Sequence, residues 1–191
     1  VFQLYEKNGV IKRSEIDNIV KLIPPEERKK LWNMGIKIGR YHIFLPKMLK
    51  PKAVEFRVSL WKIFHNLINK TEIPKFGLNF IIDNNYDNNF LLLCGFEKFR
   101  EFFVRIDILE KLFLKIIENT NDRKFKVNAE MMNLLGCSKE NFYKLMDYMN
   151  YKKDKAVDTY IFKGEKKKKE KIIGFDKKEN PFNKLLSLNI K

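Results

Sequence analysis

The chain has 191 residues, of which 45% are hydrophobic, enough to bury a core without disulfides, and its length allows one domain or two small ones. There is no run of eighteen apolar residues and no signal-peptide pattern, so a soluble cytoplasmic protein with no membrane partner is expected. Its 39 Lys and Arg outweigh 24 Asp and Glu for a formal charge of +15, which favours a polyanionic partner, although a chain rich in Lys, Asn, Ile and Phe also carries part of that charge as solvated surface.

The fold class expected from periodicity is mainly α with small β-hairpins, an α+β arrangement in three stretches. Residues 1–75 read as a helical region with a hairpin at 36–45 and a central helix at 52–68. Residues 76–163 read as a strand pair followed by a winged-helix-like unit, and 164–191 as a basic flexible tail. Ser14 and Asp17 form a capping-box-like start to a first helix, with Ile16, Ile19, Val20 and Ile23 on its inner face. Pro24 and Pro25 end it and open the next helix, whose first turn carries Glu26 and Glu27 and whose end is marked by Gly35. Two short strands follow, Ile36–Ile38 and Tyr41–Leu45, joined by Gly39-Arg40 as a two-residue loop. The helix after Pro51 has a thin polar stripe of Lys52, Glu55, Ser59, Lys62 and Asn66, so it reads as the buried centre of this half. Arg57 points nearly opposite that stripe. Its charge needs a partner there, either a carboxylate from a neighbouring element or an RNA phosphate.

Leu78–Ile82 and Phe90–Phe96 read as strands, and Asp83 to Asn89 between them as an Asn-rich turn. That turn lacks the sixth-position glycine and terminal Glu of a calcium loop. A supporting helix then begins with Asp107 and Glu110 as a capping-box pair and lines its core face with Leu109, Leu112, Phe113, Ile116 and Ile117. From Asn128 to Lys163 the chain reads as a helix-turn-helix with a wing. Met131, Met132, Leu134 and Leu135 make a short helix that stops at Gly136, and Ser138 caps a second one. In that second helix Phe142, Leu145, Met146 and Met149 share a face, while Lys139, Tyr143, Lys144, Asp147 and Asn150 lie opposite. The turn Lys152-Lys153-Asp154-Lys155 leads to a wing strand, Val157–Phe162.

Nucleic acid, RNA above all, is the expected partner. The candidate contacts are Lys37, Arg40, Lys47, Lys50 and Lys52 near the hairpin, with Lys139, Lys144, Lys152, Lys153 and Lys155 on the winged unit. Tyr143 is a candidate for base stacking, and Tyr41 another unless it belongs to the core. The lysine-rich tail, with Lys166–Lys169 unbroken, adds further phosphate contacts. The amphipathic segment 180–191, with Phe182, Leu185, Leu186 and Leu188, is a candidate for a protein partner. Cys94 and Cys137 read as free thiols of a reducing compartment. His42 and His65 have no nucleophile or metal-ligand spacing beside them, so neither catalytic residues nor a metal site are assigned.

The block Gly35-Ile36-Lys37-Ile38-Gly39-Arg40-Tyr41-His42-Ile43-Phe44-Leu45-Pro46-Lys47-Met48-Leu49-Lys50-Pro51, with Arg57 and Trp61 downstream, resembles the C-terminal region of alphaproteobacterial DExH-box RNA helicases related to the mitochondrial degradosome helicase. Val104-Arg105-Ile106-Asp107-Ile108-Leu109-Glu110, then Leu134-Leu135-Gly136-Cys137-Ser138, then Asn180-Pro181-Phe182 fit the same region in the same order, so the resemblance spans most of the chain. It implies a parent protein that hydrolyses ATP, with Mg, to move along RNA. No G-x-x-x-x-G-K-[ST] loop and no Asp-Glu-x-His motif occurs here, so the implied motor lies upstream of Val1 or has been lost, and the chain itself is assigned no cofactor. The expected role is an RNA-binding accessory region of such a helicase; a structural RNA-binding component of a ribonucleoprotein assembly is the alternative.

Overall fold

The computed structural model describes residues 1–65, 72–82, 86–156 and 158–162. It is a mixed α+β fold with three small antiparallel sheets, more strand than hairpins alone would supply. The tail 164–191, with its segment 180–191, and residues 66–68 of the expected central helix lie outside the described residues.

The chain opens with helix α1 (Phe2–Glu6), strand β1 (Val10–Lys12), helix α2 (Arg13–Leu22) and helix α3 (Pro25–Asn33). The Ser14–Asp17 capping box does not form. Lys12 takes the N-cap position with no side-chain cap, and Asp17 instead pairs with Arg13 and Lys21, a turn away on either side. Helix α3 ends as its sequence suggests, with Gly35 at φ 84° and the amide of Ile36 reaching back 3.0 Å to the Leu31 carbonyl. Strands β2 (Lys37–Ile38) and β3 (His42–Phe44) make the expected hairpin, and β1 adds a third strand on the far side of β3. The hairpin turn is Arg40-Tyr41 rather than Gly39-Arg40, because the Gly39 amide donates to the His42 carbonyl at 2.8 Å and closes the ladder there. Gly39 matters for space: a Cβ on it would overlap the carboxylate of Glu110.

A 3-10 turn (Pro46–Leu49) leads into helix α4 (Pro51–Phe64). This helix is not buried all round as its composition suggested. Only Val54, Arg57 and Val58 are buried, while Phe56, Leu60, Ile63 and Phe64 lie open to solvent. Val54 and Val58 pack with Phe90, Leu91 and Phe103 in one apolar cluster, and that one-sided contact selects the buried stripe among several apolar ones. Arg57 meets no carboxylate among the described residues. Its terminal nitrogens donate to two main-chain carbonyls, Asn8 at 2.5 Å and Met48 at 2.7 Å.

Strand β4 (Phe80–Ile82) forms within the expected segment, but the run beginning at Phe90 is helix α5 (Asn88–Leu93), not a strand. The Asp87 side chain accepts from the Phe90 amide at 3.1 Å and caps it. A short apolar run buried on every side satisfies both templates, and the cap decides between them. Strands β5 (Phe96–Phe99) and β6 (Phe102–Arg105) complete a sheet of order β4-β6-β5.

Helix α6 (Ile106–Glu118) buries Ile108, Leu109, Leu112 and Ile116, with Phe113 partly covered and Ile117 exposed. Its capping box is absent: Asp107 is gripped by Arg105 at 2.7 and 2.9 Å, and Glu110 turns inward. Strands β7 (Thr120–Asn121) and β8 (Lys124–Lys126) form a hairpin that the sequence reading did not include. Its two-residue turn, Asp122-Arg123, sits at φ 48° and 62°, a left-handed pair without glycine. Helix α7 (Ala129–Leu135) stops at Gly136, φ 69°, and helix α8 (Lys139–Tyr148) starts where the Ser138 hydroxyl accepts from the Asn141 amide. Phe142, Leu145, Met146 and Met149 are buried as their spacing predicts, in the largest core cluster. Strands β9 (Tyr151–Lys153) and β10 (Thr159–Phe162) then give a sheet of order β7-β8-β10-β9. Lys152 and Lys153 therefore belong to a strand rather than to the basic turn, which starts at Asp154; Val157 lies outside the described residues.

Candidate nucleic-acid interface

On the outward side of α8 both lysines, Lys139 and Lys144, are engaged in ion pairs. Lys139 pairs with Asp158 at 3.0 Å, and the Tyr143 hydroxyl donates to the same carboxylate. The ammonium groups of Lys139 and Lys153 lie 5.5 and 5.0 Å from the centre of the Tyr143 ring, and Tyr160 packs 5.9 Å away. Tyr143 is thus surrounded by Asp158, Lys139, Lys153 and Tyr160. Lys144 pairs with Glu140 one turn back at 2.9 Å, a solvent-screened surface contact. The hydroxyl of Tyr143 and the ammonium of Lys139 hold the Asp158 carboxyl below its ordinary range.

The hairpin set is arranged differently. Lys37 is exposed with its ammonium 6.0 Å from the Trp32 ring, and the Arg40 guanidinium lies over Phe113 of α6 at 5.8 Å. Lys47, Lys50 and Lys52 are exposed along the 3-10 turn and the start of α4, whose first turn carries no acidic residue. Tyr41 takes its core alternative: it meets Phe113 edge-on at 5.6 Å, with its hydroxyl 3.5 Å from that of Tyr151. Lys139, Tyr143 and Lys153 are therefore brought together around Asp158, while Lys47, Lys50 and Lys52 form a separate group. Lys152 and Lys155 are exposed.

Two features escaped the sequence reading. Lys124 and Lys126 flank the buried Phe125 on β8, a Lys-Phe-Lys alternation that marks a half-buried strand. The other is a buried polar centre joining β1 and β3 to β5 and α6. His42, 1% exposed, places Nε2 3.0 Å from Glu97, and Glu97 also takes Lys12 at 2.5 Å. On the other side Nδ1 faces Glu110 at 3.7 Å, beyond a hydrogen bond. Glu110 accepts from the main-chain amides of Arg40 at 2.6 Å and of Tyr41 and His42 at 2.8 Å.

Burial alone would depress His42, but the two carboxylates outweigh it and raise its pKa above the ordinary 6.5. Burial would likewise raise Glu97 and Glu110; the imidazole, Lys12 and the three amides outweigh it and lower both. The sign follows by linkage. The His42 contribution is complete below pH 6.5 and is lost as pH rises through its raised folded value, while the glutamate contributions are lost in acid. Thermal unfolding across a pH series is expected to show the midpoint falling in the native chain as pH rises above 6.5, and His42→Gln is expected to flatten that limb. An unchanged limb in the variant would refute the assignment.

His42 is sealed from solvent, and the exposed His65 packs against the Trp61 and Phe64 rings. Among the described residues no group of three or more His, Cys, Asp or Glu could hold a metal ion, and no helix is long and apolar enough to cross a membrane. Comparison with protein-family models, with curated proteins and with solved structures finds no match.

Proposed function

We propose that these residues form an RNA-binding accessory module of an ATP-dependent RNA helicase, with α6, α7, α8 and the β7-β8-β10-β9 sheet working as a winged helix. The observation that carries this reading is the unit itself: α7 turns through Gly136 into α8, the antiparallel pair β9 and β10 follows, and Lys124, Lys126, Lys139, Lys152, Lys153 and Lys155 all sit on it. The helicase context rests on the resemblance, and its residues have structural tasks here that suit a shared scaffold. Gly39 leaves room for Glu110, Arg57 clamps two carbonyls, Arg105 grips Asp107, and Gly136 and Ser138 end and begin helices. Lysine-rich residues beyond β10 supply further positive charge in the sequence.

Fluorescence anisotropy with labelled single-stranded RNA, duplex RNA and duplex DNA across a salt series tests the reading. Micromolar or tighter binding that prefers RNA and weakens steeply with salt is the expected result. No binding to any of the three at low salt would sink it and direct attention to protein partners.

A further inference from the structure

In a helix-turn-helix unit the second helix is the usual contact surface, yet the charges on α8 nearly cancel. Lys139 and Lys144 stand beside Glu140 and Asp147, and Asp158 is already shared by Lys139 and Tyr143. The opposite side of the same unit differs. Cross-strand register sets Phe125 against Tyr160, and both are buried with Tyr151 under the sheet. Alternation then turns the residues between them outward. Lys124, Ile161 and Lys152 form one cross-strand row, and Lys126 stands opposite Thr159 in the next. All three lysines are exposed, and Asp154, which takes Lys124 at 2.8 Å, is the acid beside them.

We infer that this outer sheet face, rather than α8, is where a single RNA strand lies. The inference rests on the RNA-binding reading above. Two interstrand spacings separate Lys124 from Lys152 by about 10 Å, and two residues separate Lys124 from Lys126 by about 7 Å. The result is a flat basic patch with Ile161 at its centre, on which one sugar-phosphate backbone meets three ammoniums while a sugar or base covers the isoleucine. Contacts of this kind read charge and shape rather than base sequence.

The test compares two variants of equal charge change in the full chain, with labelled single-stranded RNA across a salt series. One carries Lys124→Gln, Lys126→Gln and Lys152→Gln; the other carries Lys139→Gln, Lys144→Gln and Lys153→Gln, and circular dichroism verifies both folds. The sheet variant is expected to flatten the slope of log K against log salt by about 2, at about 0.7 per phosphate contact, and to weaken binding by about tenfold or more. The α8 variant is expected to lose less than half as much slope. Asp154→Asn, which removes the acid from the patch, is expected to tighten binding by about two- to fivefold. Equal losses in the two triple variants, or a larger loss from α8, would overturn the placement while leaving RNA binding standing. Failure of the unsubstituted chain to bind RNA at all would instead remove the reading on which the placement rests.

Discussion

Replacing Glu110 with alanine is expected to cost about 3–5 kcal/mol of folding free energy, the range for breaking a buried charge network by removing one member. Glu110 is 9% exposed, and its carboxylate holds the Arg40, Tyr41 and His42 amides in the hairpin turn. Without it three inward-facing N–H groups lose their acceptor, each at about 1–3 kcal/mol if left dry, and His42 keeps only Glu97. Urea unfolding measures the loss, and a change under about 1 kcal/mol would show that water or repacking takes over the carboxylate's task. Gly39→Ala is the companion substitution, since its new Cβ would overlap the same carboxylate and cost about 1–3 kcal/mol through forced displacement. The two changes should be non-additive: with Glu110 already shortened to alanine, the extra methyl at residue 39 has room, and the coupling in a double-mutant cycle reports that shared space.

Arg57→Met is expected to destabilise the fold by about 2–4 kcal/mol, from two charge-assisted hydrogen bonds of about 1.5–3 kcal/mol each less the partial relief of leaving no charge behind. Arg57 is 6% exposed and ties α4 to the carbonyls of Asn8 and Met48, and Asn8 is itself held at φ 55° in the left-handed region. Burial lowers the guanidinium pKa. Arg57→Lys should recover little, because a single ammonium on a flexible stem does not span two carbonyls as a planar fork does. The same variant separates a structural role from a phosphate contact. The folded Arg57→Met chain is expected to keep the salt slope of RNA binding; a slope reduced by about 0.7 would mean that the arginine meets a phosphate after all.

What the residues determined alone is what depends on neighbours within a turn or two. Gly136 ends α7 and Ser138 caps α8 because left-handed freedom and a hydroxyl acceptor are local chemistry, and the spacing of Phe142, Leu145, Met146 and Met149 fixes the buried face of α8 through the helical period. Tertiary structure decided the rest. Which apolar stripe of α4 is buried and which carbonyls receive Arg57 both depend on surfaces contributed from elsewhere in the chain. Glu110 had the spacing of a capping residue, yet its acceptor role is set by amides some seventy residues earlier in the sequence. Lys152 reads from the sequence as a candidate phosphate contact with nothing to join it to Lys124 and Lys126; only the strand register of β8, β10 and β9 puts the three on one face. Local pattern specifies an element, but the partner of a side chain is fixed when distant elements meet and the buried groups must be satisfied together.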